Sequence, residues 1–193
     1  MNAADPKLPS ITEVVIAIGL SAGAAVALGL SRFCYALLLP AMRSELDWTF
    51  AEAGALNTAN AGGYILGAIG AAWVSRRFGA SRTFFWGVLV SSLVLSLMAV
   101  TSSYPTFFTL RLIGGVSTAF TFIIGAGLVS AICPTASAVR RGVLIGIYVS
   151  GVGTGMVLAG CFFMFLLREV PQQWRYGWAA LGAMSLLAAP VAC

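Results

Sequence analysis

Two arginines stand where arginine is costly. Arg32 lies in GLSRFCYALLLPAM (29–42) and Arg111 opens RLIGGVSTAF (111–120), each inside a long apolar segment. A guanidinium is always charged and offers five donors in a planar fork that matches a carboxylate or phosphate. At the centre of a membrane helix it costs about 2.5–3.5 kcal/mol on insertion scales, so it points to a bound anion or an internal partner. The plain alternative is snorkelling, with the stem in lipid and the charge at the headgroups. Arg32 lies roughly 15 Å from the helix end at Met42, at 1.5 Å per residue. Its Cα–Cβ bond leans towards the helix N-terminus, away from that nearer surface. A binding role is the reading for Arg32. Arg111 sits close to the start of its helix and leans towards its nearer surface, so for it alone snorkelling stands equally. Both fall at similar depth, and no acidic residue shares their two spans. Together they predict a water-filled cavity that receives an anion, or carboxylates supplied by another part of the protein.

Polar companions recur around them. Tyr35 shares a face with Arg32, Thr118 is one heptad beyond Arg111, and Tyr148 and Ser150 fall in a later segment. Asn57, Asn60 and Tyr64 follow an i, i+3, i+7 pattern. Taken singly, Asn and Thr also read as interhelical glue worth under ~1 kcal/mol each; the stripe from 57 to 64 favours a cavity. The expected lining is Arg32, Tyr35, Asn57, Asn60, Tyr64, Arg111, Thr118 and Tyr148. Catalysis finds less support. Histidine is absent, which removes the commonest general base and metal ligand. Cys34, Cys133, Cys161 and Cys193 form no CxxC pair and read as small apolar helix residues. Ser117, in Gly115-Val116-Ser117, has no evident base. GVGTG (151–155) follows no strand and is not a phosphate loop. Neither an enzyme, a metal nor a cofactor is expected.

The elements that must position these residues are membrane helices. The chain is 60% hydrophobic and 9% charged, against roughly 25% charged in soluble domains. Its net charge of +5 sits in short clusters between apolar runs, a pattern that reports membrane orientation and not nucleic acid. The first apolar run reads as a signal anchor, since equally apolar runs follow. With about 20 residues needed per crossing, six spans are predicted after a tail at 1–13: 14–42, 50–74, 83–101, 105–132, 142–167 and 174–193. Thr49 and Glu52 form a capping box for the second, Pro105 suits a first helical turn, and Pro134 and Pro171 fall in connections. Short connections make neighbouring helices antiparallel. Lys7, Arg76, Arg77, Arg82, Arg140 and Arg141 fall on one side. Arg43, Arg168 and Arg175 fall on the other, with Glu45, Asp47, Glu52 and Glu169. The N-terminus and RRFGASR (76–82) are therefore expected to be cytoplasmic. Gly63 with Gly67, and Gly151 with Gly155, are spaced for close helix packing, within one bundle or across a dimer.

Six helices with the N-terminus inside and arginines in the first and fourth resemble the N-terminal half of a major facilitator superfamily transporter. AWVSRRFGASR (72–82) resembles that superfamily's GxLaDRxGRR signature: Arg77 and Gly79 match, Arg82 falls just past the basic end, Arg76 takes the acidic position and Ala72 that of the first glycine. RLIGGVSTAF resembles RxxQGxgaA through Arg111 and Gly115, with Gly114 in place of glutamine. The fifth segment resembles the glycine-rich fifth-helix motif without its proline. GLSRFCYALLLPAMRSELDWTFAEAGALNTANAGGYILGA (29–68) is similar to the YbfB/YjiJ family of bacterial inner-membrane transporters. The resemblance implies an all-α integral membrane fold, six transmembrane helices forming the N-terminal half of a major-facilitator-type bundle with its 3+3 repeat. It implies that helices 1, 2, 4 and 5 line the cavity, and that Arg76, Arg77, Gly79 and Arg82 form a cytoplasmic gating loop. Such transporters place their site between two six-helix halves. A second half is therefore expected, from the same full-length chain or another subunit, and the chain is expected to be truncated at its C-terminus. The function expected is secondary active transport of a small anionic or polar organic solute by alternating access in the inner membrane. The alternatives are a half-sized protein acting as an oligomer or a non-transporting scaffold, and an intramembrane enzyme. Two copies of this half would bring four membrane arginines together, which opposes a simple homodimer unless a bound anion offsets them.

Overall fold

Among the described residues, six helices follow one another: α1 Ile11–Glu45, α2 Phe50–Phe78, α3 Ala80–Met98, α4 Tyr104–Ile132, α5 Ala138–Glu169 and α6 Trp174–Ala188. The computed structural model describes residues 8–132, 137–169 and 174–189, and no strand occurs among them. Lys7, Cys133, Pro134, Pro171 and Cys193 lie outside the described residues, as do the side chains of Arg168 and Glu169.

The helix starts are written in side chains. Ser10 accepts from the Glu13 backbone N–H while the Glu13 carboxylate accepts from the Ser10 N–H at 2.8 Å, so α1 begins three residues before the apolar run. Thr49 and Glu52 make the same reciprocal box at the start of α2. The other end of α2 corrects an expectation. The helix runs past Val74 through Arg76 and Arg77, whose charges suit the negative end of the helix dipole. It stops only at Gly79, whose φ of +91° a side-chain-bearing residue rarely adopts. The stretch expected to be a loop from 76 to 82 is one joint residue between two helices, with Arg82 already in the first turn of α3.

Among the described residues, four helices are long and apolar enough to cross a membrane: α1, α3, α4, and α5 over Ala138–Met164. The 29 residues of α2 rise roughly 43 Å at 1.5 Å each, but its asparagines, Tyr64 and terminal arginines dilute its apolar character. The 15-residue α6 is shorter than a full crossing. Mid-way along α1, Ala25–Phe33 winds as a π-helix, the widened form often found at functional sites.

Two close crossings organise the bundle. On α2 and α4, a Cβ added at Gly63 would strike the Leu112 carbonyl, and one added at Gly115 would strike the Asn60 carbonyl. On α1 and α5, Gly151 faces the Ser21 carbonyl, and a Cβ at Gly155 would stand 2.9 Å from the Ala25 carbonyl oxygen. The middle helix of each three-helix half thus packs on the first helix of the other half, while α3 packs against α6. Backbone meets backbone at both crossings, so their glycines join helices within this chain. Gly115→Val is expected to overpack the α2–α4 crossing by about 1–3 kcal/mol or more. A thermal melt in detergent checks this, with Gly54→Val, where nothing lies within 4 Å, melting as the wild type does.

Polar contacts close the two ends. At one, Arg140 Nε donates to Glu13 Oε2 at 3.0 Å and Nη2 to Oε1 at 2.6 Å, tying the starts of α1 and α5. At the other, Trp174 Nε1 donates to Glu45 at 2.9 Å, and Arg175 Nη1 reaches the carbonyls of Ala99 and Thr101, both at 3.2 Å. Trp48 packs edge-on to Tyr104 and Phe107 beside them.

Candidate solute site

Arg111 and Arg32 have different surroundings. Arg111 is only 1% exposed and reaches from α4 into the seam between α1 and α2. Its Nη1 donates to the Ser31 carbonyl at 3.2 Å, its Nε to the Leu56 carbonyl at 3.4 Å and its Nη2 to Asn57 Oδ1 at 3.4 Å. The guanidinium carbon lies 4.2 Å from the centroid of the Tyr35 ring. Asn60 Nδ2 donates back to the Arg111 carbonyl at 3.1 Å. Arg111 is therefore neither snorkelling nor waiting for a counter-ion: three oxygens and an aromatic face already hold it, and it ties three helices together.

Arg32 lies at the C-terminal end of the π-wound stretch of α1 and is partly buried. Its guanidinium carbon stands 5.3 Å from the Tyr64 ring centroid. Among the described residues no carboxylate pairs with it. It opens onto a recess of about 410 Å³ between α1 and α2, lined also by Phe33, Tyr35, Ala36, Leu39, Ala53, Gly54 and Asn57. The wall is set by Tyr35, whose hydroxyl donates to the Ala53 carbonyl at 2.9 Å. Arg111 stacks on this ring and binds the side chain of Asn57, so it holds two residues of the recess in place.

The eight residues expected to share one cavity divide into two groups. Arg32, Tyr35 and Asn57 line the recess, with Tyr64 beside Arg32. Arg111, Asn60, Thr118 and Tyr148 are buried in helix packing. Thr118 donates to the Gly115 carbonyl at 2.9 Å, and Tyr148 to the Phe122 carbonyl at 3.0 Å. Hydroxyls and amides in a membrane core find the nearest backbone acceptor when no water is at hand, which turns these groups away from the recess. Among the described residues, Asn60 Oδ1 is buried with no hydrogen-bond partner. Ser117 is buried as well, its hydroxyl 2.9 Å from Ser91 Oγ and donating to the Gly114 carbonyl at 3.0 Å, so its neighbours are a hydroxyl and a carbonyl. Ser31 and Leu56 were not foreseen, since they act through backbone oxygens that any residue type would provide.

Apolar helices of spanning length, with an arginine that no carboxylate pairs among the described residues in a recess between α1 and α2, define a multi-pass membrane protein. The chain belongs to the family described as uncharacterised MFS-type transporter YbfB, whose model matches residues 24–192, and so to a family of transporters. No curated protein matches it.

Proposed function

We propose that the protein is a secondary active transporter, or the N-terminal half of one, that moves a small anionic or polar organic solute across the inner (cytoplasmic) membrane by alternating access. The observation that carries this reading is Arg32, a charge left without a carboxylate among the described residues in a recess between α1 and α2. An anion entering there meets the guanidinium fork, the amide of Asn57 and the ring of Tyr64, while the aliphatic wall of Ala36 and Leu39 takes apolar substituents. The recess, about 410 Å³, falls in the lower part of the range of ligand sites, about 300 to 1,000 Å³, which suits a small organic solute.

Six crossings, with α2 and α6 completing the four helices of clear spanning length, fit the antiparallel order of the chain. Arg76, Arg77, Arg82, Arg140 and Arg141 gather at the end where α1 begins, against Arg43 and Arg175 at the other. That bias supports a cytoplasmic N-terminus. A second six-helix half would close the recess on its open side, since sites of this kind lie between two repeats near the midplane.

The test is chemical. Ala36→Cys, in a background with Cys34, Cys133, Cys161 and Cys193 replaced by serine or alanine, puts a thiol on the recess wall. A negatively charged methanethiosulfonate is expected to react about 5–10 times faster than a positively charged one, because a nearby cation in a water-filled, low-dielectric recess attracts the former. Arg32→Gln should erase the difference. Equal rates with Arg32 intact would overturn the anion site.

A further inference from the structure

We infer that the arginine-rich end of the bundle carries a site for one anionic phospholipid, with Arg82 on the phosphate and the two acyl chains in grooves on either side of Trp86. The larger groove, about 590 Å³, runs between α2, α3 and α4 and is walled by Val74, Phe78, Val90, Ile113 and Phe120. A second, of about 270 Å³, runs between α1, α3 and α4 past Leu20, Phe84, Phe85 and Leu128. Arg82 and Trp86 line both. Neither groove shares a residue with the Arg32 recess.

Two apolar channels diverging from one cation match a molecule with one charged head and two tails. A helix from elsewhere would fill one channel and leave the cation without use. The electrostatics select the sign of the head. Arg76 and Arg77 flank the Gly79 joint together with Arg82, and the sequence holds no Asp or Glu from 53 to 168. Among the described residues, Arg82 has no ion pair. A zwitterionic head would bring its own cation towards three arginines, whereas an anionic head brings only the phosphate. The depth is right as well: Trp73, Phe78 and Trp86 are 63%, 57% and 59% exposed around the joint, the aromatic girdle that marks a headgroup level.

The experiment is native mass spectrometry of the full-length protein in detergent, titrated with dioleoylphosphatidylglycerol or dioleoylphosphatidylcholine. Phosphatidylglycerol is expected to bind about fivefold tighter, the worth of one arginine near a charged headgroup. Arg82→Gln should abolish that preference. Ile113→Trp, which fills the larger groove from an exposed position, should weaken phosphatidylglycerol binding by a similar factor, and Arg43→Gln at the opposite end should change nothing. A preference that survives Arg82→Gln overturns the site. Loss in Arg82→Gln with full binding in Ile113→Trp overturns the grooves, leaving surface charge alone. Failure of both lipids to bind overturns the proposal in favour of a protein segment covering the face.

Discussion

Arg111→Ala is expected to destabilise the bundle by roughly 2–4 kcal/mol, the sum of three long charge-assisted hydrogen bonds at the low values found inside membranes together with the gap left under Tyr35. The substitution strips a donor from the Ser31 carbonyl, the Leu56 carbonyl and Asn57 at once, and these belong to α1 and α2. Loss of one side chain therefore loosens two interfaces. The measurement is the unfolding midpoint of purified protein in detergent. Arg111→Lys separates charge from shape: an ammonium keeps the charge but cannot present a planar fork to carbonyls on two helices. It should recover no more than about half of the loss. An Arg111→Ala protein as stable as the wild type would mean that these bonds form at no net gain over the alternatives available in the unfolded membrane state.

Arg32→Gln is expected to act in the opposite register. Its side chain makes one contact with Tyr64 and otherwise faces the recess, so the stability should change by less than about 0.5 kcal/mol, or rise slightly as a membrane charge is removed. Uptake should collapse. Truncating one partner of a desolvated charge pair costs about 2–5 kcal/mol, which corresponds to a fall of at least ~30-fold in uptake below saturation. The assay is flux of radiolabelled short-chain organic anions into proteoliposomes of the full-length protein, with Arg32→Lys expected to keep a measurable fraction. Wild-type flux through Arg32→Gln would sink the assignment. The two arginines, alike in sequence, are thus set apart by measurement: one should fail in a melt, the other in a flux assay.

The sequence favoured a binding role for Arg32 and left Arg111 evenly between such a role and snorkelling, and the contacts of Arg111 explain why. The start of α2 was legible because Thr49 and Glu52 carry their capping chemistry in the side chains, whereas the same box at Ser10 and Glu13 was not read and α1 begins earlier than expected. The partner of a buried cation was not legible. Arg111 is bound largely by carbonyls, and every residue has one, so no pattern of residue types announces which carbonyl will be near. The same limit applied to Asn57 and Asn60: spacing put them on one stripe, yet the first reaches the recess and the second turns into the α2–α4 crossing. The 76–82 segment was misread for another reason. An apolar run ends where lipid contact ends, but a helix continues as long as its hydrogen bonds do, and α2 carries its arginines three residues beyond Ser75 before Gly79 breaks it. The glycine pairs were visible at their spacing of four. Which helix each pair would face depended on the topology of the bundle.

The glycine crossings bear on how the pocket chooses what it holds. Where helices meet through side chains, rotamers can shift and the gap between them can open or narrow to suit a guest. At Gly63 against Leu112 and Gly151 against Ser21 there are no such cushions, and Arg111 clamps the remaining seam. The recess under Arg32 lies between α1 and α2, which those backbone contacts hold to α5 and α4 and which the Arg111 side chain ties to each other, so its width hangs on a single guanidinium.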